Sequence, residues 1–159
     1  EAEFLTITNQ INVGPKLLGF SKNFLVIEYL DGEKIGKWIN KLKEKPNVAQ
    51  LKKIIKKTLT DCYKLDKIGL DHGELSNITK HVIVGKKITI LDFESSSVDR
   101  RVSNVTSATQ AFYIGSGISK IVNPLCKPSR KSKIISVLRK YKTDQTKENF
   151  LDLLKVLNL

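Results

Sequence analysis

The chain has 159 residues, 28 of them Lys or Arg and 16 Asp or Glu, for a formal charge of +12. That length is one domain or a piece of one; a 40% apolar fraction excludes intrinsic disorder, and two cysteines exclude a disulfide scaffold. No apolar run approaches the ~18–20 residues that a spanning helix needs, and residues 1–5 are acidic where an export signal is basic. No Met occurs anywhere, so the chain is expected to start inside a longer reading frame. Two unpaired thiols without an export signal favour a reducing, cytoplasmic setting with no membrane partner. The positive surplus attracts polyanions. Its densest stretch, Lys52, Lys53, Lys56 and Lys57, recurs opposite an apolar stripe and reads as a solvated helix face. Aromatic residues do not interleave with the basic ones, so a stacking platform for single-stranded nucleic acid is unsupported.

Residues 1–10 read as the tail of a helix, and Asn12-Val13-Gly14-Pro15 as a turn. Residues 16–20 and 24–30 read as two short strands joined at Ser21-Lys22-Asn23, the second ended by Asp31-Gly32. A short helix follows, with Ile35, Trp38, Ile39 and Leu42 on one face. Pro46-Asn47 opens the clearest element. Val48, Leu51, Ile54, Ile55, Leu59, Cys62, Leu65 and Ile68 recur near the helical period over about 20 residues, and Gly69 stops them. A polar loop over 71–80 precedes a hairpin, with strands at 81–84 and 88–91 across Gly85-Lys86-Lys87. Helices are expected over 105–114, 132–141 and 147–157. They are separated by breaks at Gly115-Ser116-Gly117 and over 123–129, the latter placing Cys126 in a loop. The order predicts an α+β fold without a large parallel sheet.

The acids and histidines carry the chemistry. The only two histidines, His72 and His81, flank Glu74, and the hairpin's second strand ends in Leu91-Asp92-Phe93-Glu94. A hairpin sets the start of one strand beside the end of the other. Glu74, His81, Asp92 and Glu94 are therefore expected to converge at one end of it. Clustered carboxylates repel unless a cation or an acid–base role compensates. Magnesium takes one or two carboxylates together with substrate phosphates.

A helix ending at Gly69, then His72-Gly73-Glu74-Leu75, an apolar hairpin and Leu91-Asp92-Phe93-Glu94 resembles the catalytic core of protein kinases: H-x-D-x-x-x-x-N, a hairpin, then D-F-G. Val26-Ile27-Glu28-Tyr29-Leu30-Asp31-Gly32 resembles their hinge strand. The likeness is to the small atypical kinases of the RIO type and the archaeal serine/threonine kinases related to them, in which His-Gly-Glu-Leu-Ser, a Lys-His pair and Asp-Phe-Glu are expected variants. It covers nearly the whole chain.

The resemblance implies a kinase-like fold, with residues 1–30 as the remnant of an N-lobe and hinge and 31–159 as a mostly helical C-lobe. It implies ATP with Mg2+, or Mn2+, as cofactors and phosphoryl transfer to a Ser/Thr hydroxyl of an unidentified protein. RNA or ribosome association follows by analogy with the RIO kinases. Glu74 takes the place of the catalytic base and Lys80 that of a phosphate-neutralising lysine. Asp92 takes the metal-binding position. The second metal ligand stays open among Thr79, Asn77 and His81, with His81 favoured. Glu28, Tyr29 and Leu30 would meet adenine; Glu1, or Glu3, would pair with the strand lysine of an N-lobe. That lysine, the Gly-rich phosphate loop and the A-P-E signature are not in this chain, and Glu94 replaces the Gly of D-F-G. Ser95-Ser96-Ser97 reads as a plain turn or a phosphorylation site. The alternatives are a pseudokinase or truncated binding module, and a small-molecule phosphotransferase.

Overall fold

The computed structural model describes residues 1–115 and 117–159. Helix α1 (Ala2–Gln10) leads through a turn at Val13 and Gly14 into a two-stranded antiparallel sheet, β1 (Leu17–Phe20) and β2 (Leu25–Ile27), with Leu17 opposite Ile27 and Phe20 opposite Leu25. The second strand stops short of the expected residue 30. Its last ladder contact beyond Ile27 is Glu28 N–H donating to Lys16 C=O (2.9 Å), after which β1 has no residue left to pair. Leu18, Phe20, Phe24, Val26 and Tyr29 are apolar side chains left in solvent around this hairpin, with Tyr29 90% and Phe24 75% exposed.

Next come β3 (Gly32–Lys34), α2 (Ile35–Lys41) and α3 (Val48–Lys67). Helix α3 starts where the sequence predicts, because the Asn47 side chain accepts from Gln50 N–H (3.0 Å) and satisfies one of the orphan donors of the first turn. Its stripe of Leu51, Ile54, Ile55, Leu59, Cys62 and Leu65 is fully buried. At about 1.5–3 kcal/mol per buried large side chain, that stripe is a principal source of stability. Helices α5 and α6 pack against it, and Tyr63 stacks on Phe150 (4.5 Å between centroids, 9° between planes).

The 71–80 segment is not a plain loop. It contains a 3₁₀ turn (Leu75–Asn77) and a single-turn helix, α4 (Ile78–His81), which runs into β4 (Val82–Gly85) and β5 (Ile88–Ile90). Strand β3 pairs with β4 to make a three-stranded antiparallel sheet, order β3-β4-β5. Gly-Glu-Lys carries no apolar alternation, so β3 is a strand only by virtue of its partner.

Four further helices follow: α5 (Asn104–Tyr113), α6 (Ser119–Cys126), α7 (Lys131–Thr143) and α8 (Lys147–Val156). The expected break at Gly115-Ser116-Gly117 falls on Ser116, which lies outside the described residues. Cys126 is not in a loop but buried in the last turn of α6, which accommodates Pro124 and ends at Lys127 in a left-handed conformation (φ 49°). Ile118, Val122 and Cys126, four apart, form the buried face that outweighs the proline. The architecture is α+β, and no described helix is long and apolar enough to cross a membrane.

Candidate active site

A buried polar chain fixes the loop after α3. Asp66, in the last turn of α3, accepts from Asn104 N–H (3.0 Å), Asn104 Nδ2 (2.9 Å), Val105 N–H (3.3 Å) and Tyr141 OH (2.9 Å). Two of those donors are otherwise unpaired N–H groups at the start of α5. Burial pushes the Asp66 carboxyl up, and the Tyr141 and Asn104 donors pull it back. Asn104 passes the constraint on: its Nδ2 donates to Leu70 C=O (2.7 Å) and its Oδ1 accepts from His72 N–H (2.8 Å).

Asp71 clamps the next segment. Its backbone bridges Ser97 in both directions (2.9 Å each), and its carboxylate accepts from Arg100 Nε (3.0 Å) and Ser103 N–H (2.9 Å). His72 then donates Nε2–H to Leu91 C=O (2.8 Å) and accepts Glu74 N–H at Nδ1 (3.4 Å), the pattern of a neutral ring. Burial lowers its pKa accordingly. The ring packs on Phe93, with centroids 5.0 Å apart.

Gly73 turns the chain with φ +89°, and a Cβ there would lie 2.6 Å from Arg100 Nη2 and 2.8 Å from Ser95 C=O. Gly73→Ala is therefore expected to cost about 1–3 kcal/mol of backbone strain, plus displacement of Arg100 from Asp71, read by urea unfolding. A loss under about 0.5 kcal/mol, the range of ordinary surface substitutions, would show that the turn relaxes freely.

Three side chains meet beyond this turn. Leu91 N–H donates to His81 C=O (2.8 Å), closing the hairpin end. His81 Nε2 lies 3.0 Å from Glu74 Oε2, and His81 Nδ1 lies 3.5 Å from Asp92 Oδ2. One ligand atom from each of the three residues lies within 4.8 Å of the others. The imidazole is almost wholly buried behind the two carboxylates, which are 42% and 49% exposed. Asp92 adopts φ 67°, a left-handed conformation that Asp tolerates better than most side chains. The other Glu74 oxygen accepts the Ser95 hydroxyl, and this bond, aided by the positive charge of Lys80, holds the carboxyl below its usual range.

Whether these residues suit a cation is decided by His81. Its Nδ1 is buried and makes no hydrogen bond, so in the tautomer with Nε2–H directed at Glu74 it would offer a lone pair on the Asp92 side. That nitrogen and the Asp92 carboxylate would form the donor pair for a divalent metal, with Glu74 holding the ring from its Nε2 side, and the nitrogen suits Mn2+ or Zn2+ better than Mg2+.

The other expected residues are placed as follows. Glu94 is exposed and outside this group. Lys80 is exposed on α4, close enough for its charge to act on Glu74. Asn77 is exposed, and its Oδ1 accepts the Thr79 hydroxyl (3.0 Å). Glu28 is tied to Lys16 N–H (3.0 Å) and Lys87 Nζ (3.3 Å), with its pKa lowered chiefly by the first. Glu28, Tyr29 and Leu30 line a cavity of about 230 Å³ with Ile83, which lies two residues beyond His81. Glu1 is exposed at the start of α1. Asp66, Asn104 and Arg100 carry no expectation from the sequence, and Ser95 reads there only as part of a plain turn or a phosphorylation site. Of these, Asp66 left a signal: a carboxylate one helical turn after Cys62, on the buried stripe.

No protein-family model matches the chain. It is similar to an uncharacterized protein of Methanocaldococcus jannaschii, MJ1211, at 28% identity over 96 residues, 60% of this chain and 79% of that protein. That likeness assigns no activity.

Proposed function

We propose that the chain is a kinase-like ATP-binding protein that transfers a phosphoryl group to a Ser/Thr hydroxyl with Mg2+ or Mn2+. The observation that carries this reading is the convergence of Glu74, His81 and Asp92 at one end of the β4–β5 hairpin, all within 4.8 Å. Asp92 and His81 would hold the cation, whose bound charge would offset that developing on the phosphate oxygens. Glu74, its carboxyl held below its usual range by the Ser95 hydroxyl, would accept the proton of an acceptor hydroxyl that displaces Ser95 from Oε1. Lys80 adds a positive charge beside it. The segment of Glu28, Tyr29 and Leu30 would receive the base in the cavity it lines with Ile83.

The test is ATP turnover with Mn2+ or Mg2+ and a Ser/Thr peptide mixture. Glu74→Gln is expected to lower it by at least about 100-fold, the scale of general-base catalysis, with nucleotide affinity unchanged. Nucleotide binding without turnover would favour the pseudokinase reading. That reading gains from Ser95 occupying the Glu74 oxygen and from a nitrogen standing where kinases use an amide oxygen. Absence of nucleotide binding would remove both.

A further inference from the structure

The metal-binding group uses one end of the β4–β5 hairpin. Beside its turn end, a cavity of about 740 Å³ opens between α3, the segment joining α1 to β1, and the Lys86-Lys87 turn with β5. We propose that this cavity binds a small phosphate ester of nucleoside monophosphate size, recognised by Lys16, Lys53 and Lys86 through its phosphate and by Asp61 through an N–H or O–H donor.

Charge supplies the first argument. Lys16, Lys53, Lys57, Lys86 and Lys87 line the cavity against only Glu28 and Asp61. Lys57 pairs with Asp61 and Lys87 with Glu28 (3.3 Å), so Lys53 and Lys86 have no ion-pair partner among the described residues, and Lys16 makes no ion-pair contact although its charge acts on Glu28. Lysines on a convex face are simply solvated. On a concave wall they concentrate positive potential, which an anion relieves.

The second argument is independent of the first. Asp61 lines the cavity with its side chain only 3% exposed, and its Oδ1 is buried without a hydrogen-bond partner. A buried unpaired acceptor is costly to leave so, and a donor from a ligand would satisfy it. Burial also pushes the Asp61 carboxyl up, as expected of a group short of donors.

Shape and rigidity complete the case. Val13, Leu17 and Ile88 give the cavity an apolar wall for a ring, and its volume lies in the range of small-molecule sites. The wall is preformed: Asn9 donates to Pro15 C=O and accepts from Leu17 N–H (2.8 Å each), and Lys64 Nζ donates to Ile11 C=O (2.9 Å). Gly14, also on the wall, lies against Phe93, the residue after Asp92; a Cβ at Gly14 would come within 2.9 Å of the Phe93 ring. The proposal does not depend on the phosphoryl-transfer reading.

The test is a titration of the 15N-labelled chain with AMP in EDTA at low salt, with adenosine as comparison. Amide shifts are expected at Gly14, Lys53, Asp61 and Thr89. Lys16→Glu/Lys53→Glu, at two exposed positions, is expected to weaken AMP binding by at least about tenfold. Adenosine is expected to bind at least about tenfold more weakly than AMP, for want of the charge-assisted bonds to phosphate. Shifts confined to the segment around Tyr29 and Asp31, equal affinity for adenosine, or an unchanged AMP affinity in the charge-reversed variant would each overturn the proposal.

Discussion

Asp66→Ala is expected to lower the unfolding free energy by about 3–5 kcal/mol, as removal of one member of a buried charged network does. Four donors end on this carboxylate, three of them from Asn104 and Val105 at the start of α5 and one from Tyr141 on α7. Alanine leaves those donors buried without their acceptor and opens a cavity where α3, α5 and α7 meet. Tyr141→Phe removes a single bond and keeps the ring, so a loss of about 1–2 kcal/mol is expected for it. Urea unfolding followed by circular dichroism gives both values. Should Asp66→Ala fall within about 1 kcal/mol of the parent, the network would be peripheral to stability. A second readout follows from Asn104, which links Asp66 to His72 N–H: amide exchange at His72 should accelerate in Asp66→Ala beyond the change in global stability.

The elements legible in the sequence are those whose cause is local. Helix α3 combines a period, an Asn cap and a Gly stop, and it forms as read. The meeting of His81 with Asp92 was likewise legible. The pair Val82 and Ile90 sets the hairpin register and brings the next residues outward together. What escaped depends on distant partners. Strand β3 has no pattern of its own and exists because β4 lies beside it. Helix α6 was hidden by Pro124, although Ile118, Val122 and Cys126 carried its buried spacing. The support beneath the candidate site, Asp66 to Asn104 to His72, joins residues 38 and 32 positions apart, beyond the reach of any local periodicity. Glu74 was expected in the group, but its neighbour Ser95 was not, since that contact requires the left-handed turn at Gly73 and the return of the chain after Phe93.

Asp92→Asn is expected to weaken Mn2+ binding on the order of 100-fold or more, since loss of a ligand should exceed the 10–100-fold typical of residues that merely support one. The backbone makes this substitution informative. Asp92 sits at φ 67°, and Asn is among the few side chains that share its tolerance of that region, so the turn should persist. Thermal stability without metal should then match the parent within about 0.5 kcal/mol, the range of surface changes. Loss of affinity could not be assigned to unfolding. His81→Asn separates charge from donor type: it exchanges a buried nitrogen for an amide oxygen, so it should shift the preference from Mn2+ toward Mg2+ rather than abolish binding. Electron paramagnetic resonance of free Mn2+, with Mg2+ as competitor, measures both effects on the intact chain. Unchanged Mn2+ affinity in Asp92→Asn would mean that the pair 3.5 Å apart at the hairpin end holds no cation, and that His81 Nδ1 is left unpaired for another reason.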